Sequence, residues 1–385
     1  MTWNTWTPPT RAVWPRLAGR VLLLLALCSA WAAQAQWLIG QTAGHTGAVA
    51  ATVKEATAGA QLYFDAVNQR GGIAGKPIEL VSLDDKFEPK LAAQNARKLI
   101  DDGAIALFLT RGTPHNEAIL PLLAEAKVPL VGPSTGAMLL HQPVNRWVFN
   151  VRATYQREAE RLVRHLMQFG VQRLGIVQVA DSFGEDAVVG ALRGLDKGRT
   201  PAVHATYDRS KPDFSTIVPK LMQADVQAVL FIGSGTAVVD GMRGLRAAGS
   251  RAQLLTLSNN ASAGFVKALG ADARGVVVSQ VLPPERSMAS PLVKEATDLA
   301  AARGSTAPPI TPALLEGFAS AKVLVEGLKR AVVAGKINGA SLQRALEGLQ
   351  RFDIGGLEVS YSPSDHTGLD YADLSIIDAE GRFKR

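Results

Sequence analysis

The sequence has little cysteine, little charge and few aromatic residues. Its 385 residues include one cysteine, 19% charged residues and 6% aromatic residues. One cysteine cannot form a disulfide within the chain, which excludes a disulfide framework. Hydrophobic residues make up 47% of the chain, so intrinsic disorder, which needs low hydrophobicity and high net charge, is also excluded. A globular protein of this length has room for two or three domains.

Motifs of catalysis, metal binding and cofactor binding are absent too. The six histidines include no H-x-x-x-H pair, and there is neither a G-x-x-x-x-G-K-S/T phosphate loop nor a G-x-S-x-G nucleophile elbow. The stretch Gly233-Ser234-Gly235 lacks the third glycine of a dinucleotide fingerprint and is more typical of a strand-to-helix turn. We therefore expect no enzymatic activity, no metal and no cofactor.

The N-terminal segment has the pattern of a secretory signal. The first 20 residues hold three arginines and no acid, Val21 to Leu27 is an apolar run, and small residues surround Ala33-Gln34-Ala35. A basic start, an apolar middle of about 7 to 15 residues and an A-x-A site are the three parts of such a signal. The run is shorter than the roughly 20 apolar residues of a membrane-spanning helix. We predict a signal peptide over residues 1–35, cleaved after Ala35.

Cleavage at this point changes the composition of the mature chain. It removes three arginines and no acid, so the formal net charge falls from +7 to 7 − 3 = +4. The remaining positive charge is not concentrated in a long Lys/Arg run, which argues against a nucleic-acid partner. Cleavage also removes Cys28. Lipidation of Cys28 is the alternative fate of this segment, but the bulky Leu27 stands before it where a small residue is expected.

Strand and helix patterns alternate along two stretches of the mature chain. Short apolar runs alternate with helical patterns over residues 36–150 and again over 155–280, which predicts right-handed βαβ units and a parallel sheet in each stretch. Too few strands for a third sheet accompany the last predicted helices, at 291–303, 312–333 and 341–349. We predict an α/β fold of two doubly wound parallel-sheet lobes, joined by a hinge that the chain crosses more than once and that can close around a small molecule.

Polar residues follow two neighbouring strands of the first predicted sheet. Thr113 follows one strand, and Ser134 and Thr135 follow the next. Ligands of open α/β sheets bind outside the carboxyl ends of the strands. We predict that these hydroxyls, with the backbone N–H groups of His115 and Asn116 at a helix start, hold a carboxylate. The alternative for Thr113 is a hydroxyl that only caps its own helix.

Three further features have a structural alternative. Phe183 opens a helix after a strand of the second half, where it could cover an apolar ligand or serve only as a packing residue. The pairs Asp84-Asp85 and Glu158/Glu160 resemble general acid/base pairs, but Asp84-Asp85 has no suitable partner nearby, and residues two apart on a helix do not face each other. Because charged residues are mostly exposed, we assign both pairs to the surface.

Over nearly its whole mature length, the chain resembles the leucine/isoleucine/valine-binding proteins of ABC importers, which are type I periplasmic binding proteins. The order and spacing of several short motifs carry the resemblance: Gly59-Ala60, Val67-Asn68-Gln69-Arg70-Gly71-Gly72-Ile73-Ala74-Gly75, Asp84-Asp85 with Pro89, Val128-Pro129-Leu130-Val131-Gly132-Pro133, Phe183-Gly184-Glu185 and Glu316-Gly317-Phe318-Ala319.

The resemblance implies a monomer in the periplasm that captures an amino acid or related small carboxylate between two lobes and delivers it to an ABC permease in the inner membrane. We expect lobe 1 to comprise residues 36–152 and 281–358. Lobe 2 would then comprise residues 153–280 and 359–385.

The family also implies roles for particular residues. Thr113, Ser134 and Thr135 fall where the family holds the ligand carboxylate. Phe183 matches a position that often carries a tyrosine against the ligand, and Ser234 lies in a loop that elsewhere brings another aromatic residue.

One departure from the family concerns the ligand ammonium. The branched-chain proteins place an acid where this chain has Leu257-Ser258-Asn259-Asn260, and a buried ammonium without a charge partner is costly. Either Glu316 or Asp181 replaces that acid, or the ligand has no α-ammonium.

A second hypothesis keeps the fold and changes the role. A periplasmic ligand sensor that presents its closed form to a membrane signalling protein would have the same lobes and the same polar turns. An exported α/β enzyme is disfavoured, because no triad, metal set or acid/base pair is found.

Overall fold

A computed structural model describes residues 1–6, 36–335 and 337–385. The predicted cleavage site and Cys28 lie outside the described residues. Residues Trp37–Arg385 form one compact unit. None of the helices in the described part of the chain combines the length and the hydropathy needed to cross a membrane.

The first sheet is built from residues 37–149. Its strands are all parallel, lie in the order β2-β1-β3-β4-β5, and are β1 Trp37–Ala43, β2 Ile78–Asp84, β3 Ala106–Phe108, β4 Leu130–Val131 and β5 Val148–Phe149. Three helices connect them: α1 Ala50–Gln69, α2 Pro89–Asp101 and α3 Thr113–Ala126. Strands β3, β4 and β5 are apolar and fully buried, as expected for a parallel sheet covered by helices on both faces.

The second sheet repeats this plan. Its strands are β6 Leu174–Val179, β7 Val203–Tyr207, β8 Ala228–Ile232, β9 Gln253–Thr256, β10 Val277–Gln280, β13 Asp373–Ile377 and β14 Phe383–Lys384, in the order β14-β13-β10-β9-β8-β6-β7. The parallel part, read from the other edge as β7-β6-β8-β9-β10, has the same order as the first sheet. Strands β13 and β14 extend it antiparallel. The helices of this part are α4 Tyr155–Gln168, α5 Ser182–Arg193, α6 Ile217–Gln223, α7 Thr236–Ala247 and α8 Ala263–Leu269.

The helices that follow β10 pack on the first sheet, because they have no sheet of their own. They are α9 Pro291–Ala301, α10 Pro312–Val333 and α11 Gly339–Glu347, and the short hairpin of β11 Phe352–Asp353 and β12 Glu358–Val359 comes after them. Helix α10 lies against α1 so closely that a Cβ on Gly317 would come within 1.8 Å of the Ala56 carbonyl oxygen. A side chain at this position would force the two helices apart.

The chain passes between the two sheets three times: after β5, after β10 and before β13. We call the first sheet with its helices the first lobe and the second sheet with its helices the second lobe. Lobe boundaries at residues 152, 280 and 358 remain a proposal. Tyr361, beyond the last of these, packs in the core of the first lobe.

The lobes touch each other along the cleft between them. Thr52 of α1 donates to Ser262 of the second lobe at 3.0 Å. Glu55 accepts hydrogen bonds from the backbone N–H groups of Ala263 and Gly264 at 3.1 and 2.9 Å. The two lobes are therefore closed on each other at this contact, where α8 of the second lobe packs against α1 of the first.

Candidate functional site

The turn after β3 places Thr113 beside a residue of the next turn. Helix α3 begins at Thr113, and its N-cap, Gly112, makes no side-chain capping bond. The Thr113 hydroxyl lies 2.8 Å from the Thr135 hydroxyl in the turn after β4, and both side chains are buried. The interpretation of Thr113 as a cap of its own helix is therefore wrong. Instead, the two hydroxyls form one polar pair at the carboxyl ends of neighbouring strands.

The backbone at the start of α3 differs from the expectation. The N–H of Asn116 donates to the carbonyl oxygen of Gly112 at 3.0 Å, so it is already bonded and is not free to hold a ligand. The Asn116 side chain accepts a hydrogen bond from Thr110 at 2.5 Å and donates to the Gly112 carbonyl at 2.7 Å. These bonds fix the conformation of the turn.

Arg111 is the charged residue of the turn after β3, and it was not predicted as a site residue. Its side chain is only 3% exposed; it donates to the Ser134 hydroxyl at 3.0 Å and to the carbonyl oxygen of Asn259 at 2.7 Å. Burial lowers the pKa of Arg111 from its ordinary value. Among the described residues, no carboxylate forms an ion pair with it. A buried guanidinium whose hydrogen-bond partners are all neutral favours the binding of an anion beside it.

Asn259 connects Arg111 to the second lobe. Its amide nitrogen donates to the Ser234 hydroxyl at 3.0 Å and to the Gly233 carbonyl at 2.9 Å. Its amide oxygen is buried and accepts no hydrogen bond within the described part of the chain. Through Arg111 and Asn259, the predicted residues Ser134 and Ser234 belong to one polar network across the cleft.

Phe183 lies against a second aromatic ring in the same region. The rings of Phe183 and Tyr155 are 4.6 Å apart between centroids, and both are buried in the core of the second lobe. The guanidinium of Arg152 lies over the other ring, 4.6 Å from the Tyr155 centroid. Phe183 is thus a packing residue of the second lobe, and its contact with a ligand remains a prediction.

The prediction that Glu158 lies on the surface is wrong. Its side chain is fully buried and accepts three hydrogen bonds: from Arg152, from the backbone N–H of Ser258 at 2.9 Å and from the Ser279 hydroxyl at 2.5 Å. Arg152 also donates to the Ser258 hydroxyl at 2.7 Å. This ion pair and its hydrogen bonds join α4, the first crossing between the lobes, the turn after β9 and strand β10.

Glu316 stands on the other side of Arg152. Its Oε1 is 3.6 Å from Nη1 of Arg152, too far for a hydrogen bond, and both atoms are buried without a hydrogen-bond partner among the described residues. Because α10 belongs to the first lobe, this carboxylate faces the cleft network from the first lobe. The other candidate acid, Asp181, pairs with Arg209 and caps α5 through the N–H of Phe183 at 2.9 Å.

Asp84 and Asp85 have structural roles. Asp85 is buried, contrary to the surface prediction, and accepts hydrogen bonds from Thr42 at 3.1 Å and from the N–H of Phe87 at 2.9 Å. Burial raises its pKa to about 6. Asp84 accepts hydrogen bonds from Thr46 and lies partly exposed at the end of β2.

An open groove between the lobes reaches the turn after β3 at Pro114, next to Thr113, and is lined by none of the network residues. The groove has a volume of about 600 Å³ and is lined by residues of both lobes, including Phe87, Pro114, Asp181 and Arg209. Arg209 of the second lobe lies 4.9 Å over the Phe87 ring of the first.

The structure therefore joins Ser134 to Ser234 through Arg111, pairs Thr113 with Thr135, and sets Glu316 beside Arg152. No group of three or more His, Cys, Asp and Glu side chains within the described ranges is arranged to hold a metal ion.

Sequence reasoning missed Arg111, Arg152, Glu158 and Asn259 as site residues. One signal was available for Glu158, which falls on the apolar face of α4 with Ala159 and Leu162, where a charge is unusual.

Comparisons with known proteins show the family to which the chain is similar. The family described as Periplasmic binding protein has a sequence model that matches residues 36–381. The Leu/Ile/Val-binding protein homolog 3 of Brucella melitensis is 25% identical over 321 residues, which are 82% of this chain and 85% of that protein. The Leu/Ile/Val-binding protein BraC3 of Rhizobium johnstonii is 28% identical over 317 residues, which are 80% of this chain and 83% of that protein.

Solved structures of similar proteins have the same fold. A substrate-binding periplasmic protein from Ralstonia solanacearum superposes with a TM-score of 0.84 at 32% identity, over 90% of this chain and 99% of that one. A possible leucine/isoleucine/valine-binding protein from Rhodopirellula baltica superposes with a TM-score of 0.85 at 27% identity, over 93% of this chain and 98% of that one. The fold class predicted from the sequence is confirmed.

Proposed function

The chain belongs to the type I periplasmic binding proteins of the leucine/isoleucine/valine-binding family, and on that premise we propose that it captures a small carboxylate-bearing solute, an amino acid or a related compound, between its two lobes. Its homologues are binding proteins and not enzymes, so its own role is to bind a solute without converting it. We further propose that it delivers the solute to an ABC permease in the inner membrane.

One observation carries the carboxylate assignment. Arg111 is buried and has no acid partner among the described residues, and its guanidinium lies in the same turn as Thr113. A ligand carboxylate placed against Arg111 and the Thr113/Thr135 hydroxyl pair would put a negative charge in direct contact with the guanidinium and accept charge-assisted hydrogen bonds. Ser134 and Ser234 would complete the polar wall through their contacts with Arg111 and Asn259, and Phe183 would contribute an apolar wall.

Isothermal titration calorimetry of the mature protein against a panel of small carboxylic acids and amino acids tests this assignment. We expect at least one carboxylate to bind and the Arg111→Met variant to lose roughly 100-fold in affinity or more, because a buried charge-assisted contact is removed. Arg97→Met is the matched control, since Arg97 forms an exposed ion pair with Glu125 on the first lobe. Unchanged affinity in Arg111→Met would refute the site.

The partner and the compartment need tests in cells. If the protein serves an importer, deletion of its gene abolishes uptake of the radiolabelled solute found by calorimetry. A sensor role predicts unchanged uptake and loss of a ligand-dependent response. Export with cleavage after Ala35 predicts that the periplasmic protein begins at Gln36, which N-terminal sequencing checks.

A further inference from the structure

Contacts between the lobes also occur outside the polar network, along the start of α1. The carbonyl oxygen of Ala48, two residues before the helix, accepts a hydrogen bond from the N–H of Thr236 at 3.3 Å. The Thr52 hydroxyl donates to the Ser262 hydroxyl at 3.0 Å, and both side chains are buried. The carboxylate of Glu55 lies one turn further along the same helix. These contacts join the lobes through residues that are not part of the candidate site.

The Glu55 carboxylate binds the beginning of a helix in the other lobe. Its two oxygens accept hydrogen bonds from consecutive backbone N–H groups, those of Ala263 at 3.1 Å and Gly264 at 2.9 Å. The next N–H, that of Phe265, donates to Ser262 within the second lobe. The first N–H groups of a helix have no partner inside it. Closing the lobes therefore gives two of these groups a charged acceptor, and opening the lobes would leave them to water.

Glycines allow this close approach between the lobes. A Cβ on Gly264 would lie 2.2 Å from the Ala51 Cβ. A Cβ on Gly235 would lie 1.9 Å from the Ala48 carbonyl oxygen. Any other residue at either position would push α1 away from the second lobe. The second lobe therefore fits α1 in its closed position, and the Glu55 hydrogen bonds are part of a packed contact.

We propose that Glu55 is an inter-lobe latch, whose two hydrogen bonds to Ala263 and Gly264 stabilise the closed form without touching the solute. Within the described part of the chain, Glu55 forms no hydrogen bond or ion pair with Arg111, Asn259 or another residue of the polar network. It is thus a positioning residue, which acts on binding only through closure.

The latch has a consequence for affinity that a residue in contact with the solute would not have. The apparent dissociation constant of a ligand that binds only the closed form is its intrinsic constant divided by the closed fraction of the free protein. Loss of the latch lowers that fraction, so it should weaken the binding of every solute by the same factor and leave their order of preference unchanged. This consequence rests on the proposed function, whereas closure itself can be measured without a solute.

Disulfide trapping measures closure in the absence of any solute. The sequence has a single cysteine, Cys28, so the chain that begins at Gln36 and carries Thr52→Cys and Ser262→Cys has only the two introduced thiols. The hydroxyls that these thiols replace are 3.0 Å apart. Because a disulfide requires its two Cβ atoms to be close, oxidation by diamide should join the thiols only while the lobes are closed.

The rate of trapping is compared with and without Glu55→Gln. This change keeps the size of the side chain but removes its charge and sets an NH2 donor against one of the two N–H groups. We expect the rate to fall roughly tenfold, the lower end for a hydrogen bond to a charged group, because Glu55 is partly exposed. The control is Asp65→Asn on the same helix, whose acid pairs with Arg303 inside the first lobe, and its rate should not change.

Urea denaturation separates the latch from a merely structural role. A latch acts between the lobes, so Glu55→Gln should keep the urea midpoint of Asp65→Asn while trapping slows. A residue that only stabilises its own lobe would give the reverse, a lower midpoint with an unchanged trapping rate, and that result would overturn the proposal.

Calorimetry of the protein without the introduced cysteines tests the effect on binding. The probes are L-leucine, 4-methylpentanoate and benzoate, and those that bind the wild type should each lose the same factor, roughly tenfold, in Glu55→Gln. A loss confined to one solute would show that Glu55 selects among solutes and would overturn the latch.

The failure of this inference is distinct from the failure of the proposed function. An unchanged trapping rate in Glu55→Gln, or an equal fall in Asp65→Asn, would overturn the latch and leave the solute receptor intact. Absence of binding by every small carboxylate would overturn the proposed function, while slower trapping in Glu55→Gln alone would still support the latch.

Discussion

Loss of the Glu158 charge should destabilise the protein more than any substitution of an exposed acid. Glu158 is fully buried and accepts hydrogen bonds from Arg152, Ser258 and Ser279. Glu158→Gln keeps the size of the side chain but leaves Arg152 with only the distant carboxylate of Glu316, at 3.6 Å. Removing one partner of a buried ion pair costs about 3–5 kcal/mol. Because Glu316 compensates in part, we expect a loss of about 3 kcal/mol.

Urea denaturation, followed by circular dichroism at pH 7, measures this loss as a change in the free energy of unfolding. The control is Glu160→Gln, two residues along the same helix, where an acid that is 18% exposed pairs with Arg164, which is 61% exposed. Such surface pairs contribute about 0–1 kcal/mol. Equal losses in the two variants, or a loss below about 1 kcal/mol in Glu158→Gln, would refute the claim that the Glu158 network holds the two lobes and the turns together.

Two further predictions concern closure and pH. In Gly264→Ala, the new Cβ would lie 2.2 Å from the Ala51 Cβ across the cleft, so affinity for the identified solute should fall at least about tenfold with little loss of lobe stability. Burial lowers the pKa of His115 and His141 to about 4 and raises the pKa of Asp85 to about 6. Between pH 6.5 and 4, each histidine should therefore lower the free energy of unfolding by about 3 kcal/mol, and Asp85 should raise it by about 3 kcal/mol. The net result is a fall in stability of roughly 3 kcal/mol.

Both predictions have direct measurements. For closure, Gly244→Ala is the control, because the nearest atom to its new Cβ is 3.7 Å away, and calorimetry should find its affinity unchanged. Wild-type affinity in Gly264→Ala would contradict closure at this contact. For pH, urea midpoints between pH 7 and 4 give the change directly. Stability should fall on acidification because these histidines take up protons below about pH 6.5 in the unfolded state but only near pH 4 in the folded state. A stability that rises as the pH falls from 6.5 to 4 would contradict this prediction.

The doubly wound architecture was predictable because its signals are local. Apolar runs such as 228–232 and 174–179, separated by helical patterns, coincide with strands to within a residue. Strands β5 and β10 were not singled out from the sequence, and β5 is only two residues long. The second sheet also includes β13, which comes from the C-terminal end of the chain and pairs antiparallel with β10, a pairing that no local pattern indicates.

The hydroxyl part of the candidate site was predictable and its charged part was not. Thr113 and Thr135 follow neighbouring parallel strands, and the geometry of a parallel sheet brings such residues together. Glu158 meets Arg152 only six residues away along the chain, but its other partners, Ser258 after β9 and Ser279 in β10, are 100 and 121 residues away in sequence. No local pattern encodes these distant contacts, and the general tendency of charged residues to be exposed gave the wrong result for Glu158.

The buried arginine links ligand binding to closure. Arg111 reaches from the first lobe to the Asn259 carbonyl of the second, so closing the lobes takes this guanidinium out of water while giving it only neutral partners. We expect opening of the cleft to return Arg111 to solvent, so that this cost falls on the closed form alone. Under the proposed function, a ligand carboxylate removes the cost by supplying the counter-charge, so it binds the closed form better than the open one. A ligand with such differential affinity shifts the equilibrium towards closure, and Arg111 thereby makes the closed shape, which a membrane partner would recognise, depend on the presence of the solute.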